Sequence, residues 1–297
     1  MKPDLSNIKV QQVPFLQNFR TTVDVLRLDL LHPVISGNKW FKLNRYIDDA
    51  RAKNKTTLLT FGGAYSNHIV ATAAAAAAQG FQSVGIIRGE EPQKYSPTLL
   101  QAAAYGMKLF FVNREAYRNK QVPPHVYDLV AEDEIYRIEE GGFGEKGAEG
   151  AAEILQLTHE NYSHIITAVG TGTTAAGLLK AAAPEQKIIG ISVMKNNLAL
   201  QPQIESMVNQ EKRQQLTLLH DYHFGGYAKK TSELIAFMNQ FYEHTTIPTD
   251  FVYTGKLFFA VKDLLQKKYF PDGSRVLVIH SGGLQGNRSL SKGTLIF

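Results

Sequence analysis

Lys39 stands where a glycine-containing turn, Ser36-Gly37-Asn38-Lys39-Trp40-Phe41-Lys42, runs into a segment whose apolar positions Trp40, Leu43, Ile47 and Ala50 recur at helical spacing. An amine at the positive end of a helix dipole, if also partly buried, is disfavoured as an ammonium. It reaches the neutral, nucleophilic state that a Schiff-base lysine requires. A solvated surface lysine is the plain alternative at such a position.

Further along, Gly170-Thr171-Gly172-Thr173-Thr174 joins an apolar run to a helical one. It offers backbone N–H groups, hydroxyls and a helix dipole, which together make a cradle for phosphate. With Ala175 it also matches G-x-G-x-x-A, the signature of a dinucleotide turn, which would make the chain a nicotinamide-dependent oxidoreductase. The next strand ends Ser192-Val193-Met194-Lys195 without an acid to hold a ribose, and the paired threonines suit one terminal phosphate. A tight glycine turn without a ligand is the remaining alternative.

In Gly62-Gly63-Ala64-Tyr65-Ser66-Asn67-His68, Ser66 and Asn67 are either ligand-facing polar groups or caps for the helix that follows. The stretch is not G-x-S-x-G, so a serine-hydrolase elbow is unsupported. His220 and His223 form a close histidine pair without a neighbouring carboxylate pattern, and no metal site is expected. Tyr227 in Gly225-Gly226-Tyr227 and Tyr253 in Val252-Tyr253-Thr254-Gly255-Lys256 stand beside glycines. Each is either a packed ring with its hydroxyl at the rim or a ring near a ligand.

The elements that position these residues alternate. Strands are expected at 22–28, 57–61, 84–87, 109–112, 135–138, 164–169, 188–193, 216–220 and 276–280. Helices are expected at 39–53, through the seven alanines of 71–78 to Gly80, and at 96–105, from 125 to 132, 148–159, 198–209, 230–243 and 256–268. Residues 1–36 otherwise read as an irregular lead-in. Short apolar strands alternating with helices predict an α/β fold with parallel sheets covered by helices on both faces.

A chain of 297 residues is long enough for two domains. The absence of cysteine excludes disulfides, thiolate catalysis and cysteine-bound metal. The lysine pairs Lys53/Lys55, Lys229/Lys230 and Lys267/Lys268 are scattered, so the net charge of +5 does not form a nucleic-acid stripe. The first residues, Met1 to Asn7, lack a signal-peptide core, and no apolar run is long enough to span a bilayer. A cytoplasmic location and no membrane partner are expected.

Taken together, Gly37-Asn38-Lys39 with Lys42, Ser66-Asn67-His68, the Gly170 turn, Gly226-Tyr227, Val252-Tyr253-Thr254-Gly255-Lys256 and the closing Ile279-His280-Ser281-Gly282-Gly283 resemble the pyridoxal-phosphate-dependent family of D-cysteine desulfhydrases and 1-aminocyclopropane-1-carboxylate deaminases. The resemblance spans about residues 36–286. It implies the two-domain tryptophan-synthase-β-like fold (fold type II), with a large cofactor domain from 1–45 and 151–297, a smaller inserted α/β domain at 46–150, and a homodimer.

By resemblance, Lys39 would hold the pyridoxal 5'-phosphate cofactor covalently and move the α-proton, while Lys42 and Gly170, Thr171, Gly172, Thr173 and Thr174 would hold its phosphate. Asn67 would bond its ring oxygen and Thr254 its ring nitrogen. Ser66, Asn67, His68 and Tyr227 would bind a small amino-acid substrate, and Tyr227 and Tyr253 would flank it. Tyr65 and a shortened segment around Gly226 depart from the family pattern. In the family's deaminases a glutamate follows the equivalent of Tyr253, where this chain has Thr254. A neutral hydroxyl cannot stabilise a charged pyridinium as a carboxylate does, so β-elimination from D-cysteine is expected ahead of cyclopropane opening. A catalytically silent binding protein of the same fold is the further alternative.

Overall fold

The computed structural model describes residues 4–16, 20–158 and 160–297. In chain order its strands and helices are β1 (Val10–Gln12), β2 (Thr21–Arg27), α1 (Asn38–Ala52), β3 (Thr57–Gly62), α2 (Asn67–Gln79), β4 (Gln82–Arg88), α3 (Pro97–Ala104), β5 (Lys108–Val112), α4 (Arg114–Arg118) and β6 (Ile135–Ile138). There follow α5 (Glu145–Ala152), β7 (His164–Val169), α6 (Thr173–Ala181), β8 (Lys187–Ser192), α7 (Leu200–Glu205), α8 (Gln210–Arg213), β9 (Leu216–Leu219), α9 (Ser232–Thr245), α10 (Thr254–Gln266) and β10 (Ser274–His280).

Two sheets result, a six-stranded one in the order β1-β2-β10-β7-β8-β9 and a four-stranded one in the order β5-β4-β3-β6. Every pairing is parallel except β1 with β2, where Val10 faces Leu26 across an antiparallel edge. The central strands carry apolar residues on both faces because helices cover both. In the large sheet, Val276 and Val278 of β10 and Ile166 of β7 join Phe241, Leu257 and Phe258 of α9 and α10. Their neighbours Leu277, Ile279 and Ile165 join Leu43 and Ile47 of α1, Ala151 of α5 and Leu179 of α6 on the opposite face. Each such side chain contributes about 1.5–3 kcal/mol by burial, and truncating a core leucine to alanine costs about 2–5 kcal/mol.

Helices α1, α5 and α6 approach closely because their contacts are glycines. A Cβ at Gly150 would lie 2.0 Å from the Phe41 carbonyl oxygen, and one at Gly177 would lie 2.5 Å from that of Ala148. The alanine-rich α2 is buried along Ala71, Ala73, Ala75 and Ala76 and ends at Gly80 in the left-handed conformation, so its small side chains serve close packing as well as helix propensity.

Some expected elements differ. The expected helix from 125 to 132 is replaced by short 3-10 turns at Pro124–Val126 and Glu132–Glu134, since Pro123-Pro124 leaves too short an apolar stretch to propagate a helix. The expected helix at 148–159 starts earlier, at Glu145, and passes into a 3-10 turn at Glu153–Leu157. Its expected end, His159, lies outside the described residues, as do Met1 to Pro3 of the expected lead-in. Within that lead-in, β1 forms an edge strand. The expected domain limits at 45/46 and 150/151 fall inside α1 and α5. Among the described residues no helix is long and apolar enough to cross a membrane.

Candidate active site

The carboxyl ends of β3, β7, β8 and β10 open on a cavity of about 870 Å³, the position where open parallel sheets place ligands. Gly37 brings α1 to it. With φ of +65° and a hypothetical Cβ only 1.9 Å from the Ser281 carbonyl oxygen, only glycine fits there. The Asn38 N–H then donates to that same Ser281 oxygen at 3.3 Å. The turn before α1 and the Ser281-Gly282-Gly283 turn after β10 are thereby locked backbone to backbone.

Lys39 and Lys42 project from the first turn of α1 into the cavity wall. The Lys39 amine donates to Asn38 Oδ1 at 3.2 Å, and the Asn38 amide donates to Thr174 Oγ1 at 2.8 Å. Burial pushes the Lys39 ammonium down to about 8, partly offset by the Asp250 carboxylate. Lys42, buried and donating to the Gly141 carbonyl at 3.3 Å, is held well below the usual lysine range by burial and by Lys39 beside it. Two amines facing one another in a buried wall favour an anion between them.

The turn after β7 supplies the other half of an anion site. Gly172 adopts the left-handed conformation at the head of α6, and no side chain caps that helix. Gly170, Thr171, Gly172 and Thr174 line the cavity, and between them Thr173 is fully buried, with its hydroxyl 3.3 Å from that of Thr171. Thr173 is the first residue of α6 and turns its methyl into the packing with α5, against Gly147, so its expected part in holding a phosphate falls to its main-chain N–H at the uncapped helix start.

On the four-stranded side, Ser66 caps α2, its Oγ accepting the Ile69 N–H at 3.4 Å, and also lines the cavity. Asn67 donates to the Gly283 carbonyl at 3.1 Å, while its Oδ1 is buried without a partner. His68 lines the cavity wall, but its Nε2 bonds Thr60 Oγ1 at 2.8 Å, and Thr60 itself donates to the Ile138 carbonyl. The imidazole is therefore the neutral Nε2–H form, kept there by burial and by Lys39 and Lys42. It braces β3 to α2.

Tyr227 and Tyr253 meet edge to face with ring centroids 6.1 Å apart on the cavity wall. Desolvation on the cavity side raises both phenols above their ordinary values, although the Tyr227 residue as a whole is exposed, so both remain protonated donors. Thr254 does not join them. It is fully buried, donates to Asp250 Oδ1 at 2.8 Å and accepts the Asp250 N–H at 2.8 Å, so the expected hydrogen bond to a ring nitrogen is not available from its hydroxyl.

Asp250 is the residue that motif reading passed over. Its carboxylate also accepts the N–H groups of Val252, Tyr253 and Thr254 at 2.8–2.9 Å, fixing the start of α10 and hence Tyr253. An acid four residues ahead of a helix start was the available signal. The cavity mouth adds Arg88, Lys120, Glu139 and Glu140, with Glu139 paired to Arg137 and Glu140 to Lys120. His223, of the close histidine pair, accepts the Gly225 N–H through Nδ1 and braces its own loop.

Comparison with known proteins gives a consistent result. The family model described as "Pyridoxal-phosphate dependent enzyme" matches residues 8–282. A Pyrococcus abyssi protein provisionally named a 1-aminocyclopropane-1-carboxylate deaminase is 30% identical over 282 residues, covering 89% of this chain and 85% of the relative. A Klebsiella pneumoniae D-cysteine desulfhydrase is 29% identical over 281 residues, covering 87% and 86%. The crystal structure of an ACC deaminase homologue superposes with a TM-score of 0.77 at 25% identity, covering 95% of this chain and 90% of that one.

Proposed function

The chain belongs to the family of pyridoxal-phosphate dependent enzymes, and from that premise we propose that it catalyses β-elimination from a small amino acid, with D-cysteine preferred over 1-aminocyclopropane-1-carboxylate. The residues present fit the cofactor. A half-buried amine at Lys39, a buried one at Lys42 and an uncapped helix start are what a phosphate-bearing aldehyde would satisfy, and the buried Asn67 Oδ1 without a partner would accept from its ring hydroxyl. Lys39 would hold the aldehyde carbon, Lys42 with the Gly170–Gly172 turn and Thr174 the phosphate, and Asn67 the ring oxygen. When bound, the cofactor supplies the electron sink that makes the substrate Cα–H bond acidic.

The protein's own part is to position and to move protons. Lys39, lowered to about 8, is neutral in about one molecule in ten at pH 7 and can take a proton from the substrate Cα and return it. Tyr227 and Tyr253 present protonated hydroxyls to the departing β-substituent, and the N-terminus of α2 at Ser66 and Asn67 receives the substrate carboxylate. Elimination gives hydrogen sulfide and, after hydrolysis, pyruvate and ammonia.

The observation that carries the choice of reaction is Thr254. The residue after Tyr253 is neutral and its hydroxyl is committed to Asp250, whose own carboxylate is taken up by Thr254 and by the N–H groups of Val252, Tyr253 and Thr254, so position 254 offers no carboxylate to hold a proton on the ring nitrogen. Among the described residues the carboxylates lining the cavity are Glu139 and Glu140, each already paired with a cation. Incubation with the two amino acids and assay of keto acid tests the ordering: faster turnover of D-cysteine supports it, and 2-oxobutanoate from the cyclopropane acid alone overturns it. Borohydride reduction followed by peptide mapping is expected to leave the cofactor on Lys39. A homodimer and a cytoplasmic location belong to the same reading, and sedimentation of the purified protein checks the first.

A further inference from the structure

Lys256 lies on the first turn of α10, three residues after Tyr253, and is fully buried. Its ammonium has three hydrogens and reaches three backbone carbonyls: Gly226 at 2.7 Å, His223 at 2.8 Å and Val193, at the end of β8, at 3.5 Å. Burying a lysine is unfavourable unless its donors are satisfied, and here all three point at main chain. Two of those carbonyls belong to the loop that carries Tyr227.

That loop is strained and open to solvent. Phe224, Gly225, Gly226 and Ala228 all have positive φ, at +50°, +92°, +121° and +53°, and the two non-glycine residues adopt a conformation that L side chains disfavour. Residues 227–230 are exposed, and the apolar anchor of the loop is the edge-to-face contact of Phe224 with Phe259 at 4.8 Å. A segment of this kind opens at little cost unless something beneath it holds the backbone.

We propose that Lys256 is a positioning residue, a buried ammonium that pins the His223–Gly226 backbone and so holds the Tyr227 hydroxyl over the active-site cavity. Asp250 acts on the other side of the same helix start by taking the N–H groups that place Tyr253. The loop into α10 and its first turn thus set both tyrosines, one through the Asp250 carboxylate on N–H groups and one through the Lys256 ammonium on carbonyls. The role assigned to Tyr227 rests on the reading under Proposed function, whereas the hold on the loop does not.

The test uses the cofactor-loaded protein. K256M keeps nearly the volume of the side chain, one atom shorter, but has no donors, and is expected to be cleaved by trypsin after Lys229 and Lys230 at least tenfold faster, with borohydride labelling of Lys39 unchanged. On D-cysteine it is expected to lose at least tenfold in kcat in the native background and less than twofold in a Y227F background, because the two changes remove the same contribution. K256Q, which retains two donors, is expected to fall between, and serves alone should K256M fail to fold. Unaltered trypsin cleavage, or the same loss in both backgrounds, overturns the proposal. A protein with no turnover of either amino acid would refute the reaction assigned above, while the cleavage rates would still decide the role of Lys256.

Discussion

Two strand-to-helix turns face the same cavity and differ in what they leave for a ligand. After β7, helix α6 starts at the left-handed Gly172 with no side-chain cap, so its first N–H groups stay available. After β3, helix α2 starts at Ser66, whose hydroxyl already accepts the Ile69 N–H. Both are glycine turns followed by hydroxyl residues in the sequence, yet one leaves its helix start without a side-chain cap and the other is half filled by its own side chain. The first suits a phosphate held through the whole reaction. The second suits a substrate carboxylate that must arrive and leave.

The strongest way to break that contrast is at Gly172. A Cβ there would meet Ile204 Cγ1 at 2.6 Å and the backbone is left-handed, so G172A is expected to cost about 1–3 kcal/mol of stability and to weaken cofactor binding at least a hundredfold, read by spectrophotometric titration. K42M removes a buried amine from the same site. It is expected to lose about 1.5–3 kcal/mol of cofactor affinity, tenfold to about a hundredfold, with the thermal stability of the cofactor-free protein kept or raised because the cost of burying a lysine beside Lys39 is gone.

On the other turn, S66A is expected to lower stability by only about 1 kcal/mol while lowering kcat/KM for D-cysteine more than tenfold. S66N, which restores a cap, should recover the melting temperature without the activity. If S66N recovers both, Ser66 is a cap alone. The mildest test is a pH profile. Reaction of pyridoxal phosphate with the cofactor-free protein needs the neutral amine, so its rate should rise with pH through about 8 and level off above it. A midpoint near 10.5 would mean a solvated Lys39, since burial is what brings it down.

Much of this was legible without a structure, because period-two apolar strands and capped, period-3.6 helices are local signals. Trp40, Leu43, Ile47 and Ala50 do form the buried face of α1, and Gly80 does end α2. The stretch after Pro123-Pro124 misled because a few apolar residues cannot tell a helix from successive 3-10 turns. At the site, residue type and spacing picked out Lys39, Lys42, Ser66, Asn67, the Gly170 turn and both tyrosines, and all of them line the cavity.

What spacing cannot convey is which way a short polar side chain turns. Thr173 and Thr254 sit beside cavity residues yet face inward, one toward α5 and the other onto Asp250, and His68 spends its donor on Thr60. Each of those choices is made by a partner that folding brings alongside, Asp250 from just before α10, Thr60 from β3 and Gly147 from α5, and spacing alone does not show which atoms meet. The sequence by itself determined the alternation of strands and helices and the residues able to do chemistry. Only the tertiary structure decided which of their hydrogen bonds were already used and which remained for a ligand, because a donor's availability depends on atoms brought to it by folding.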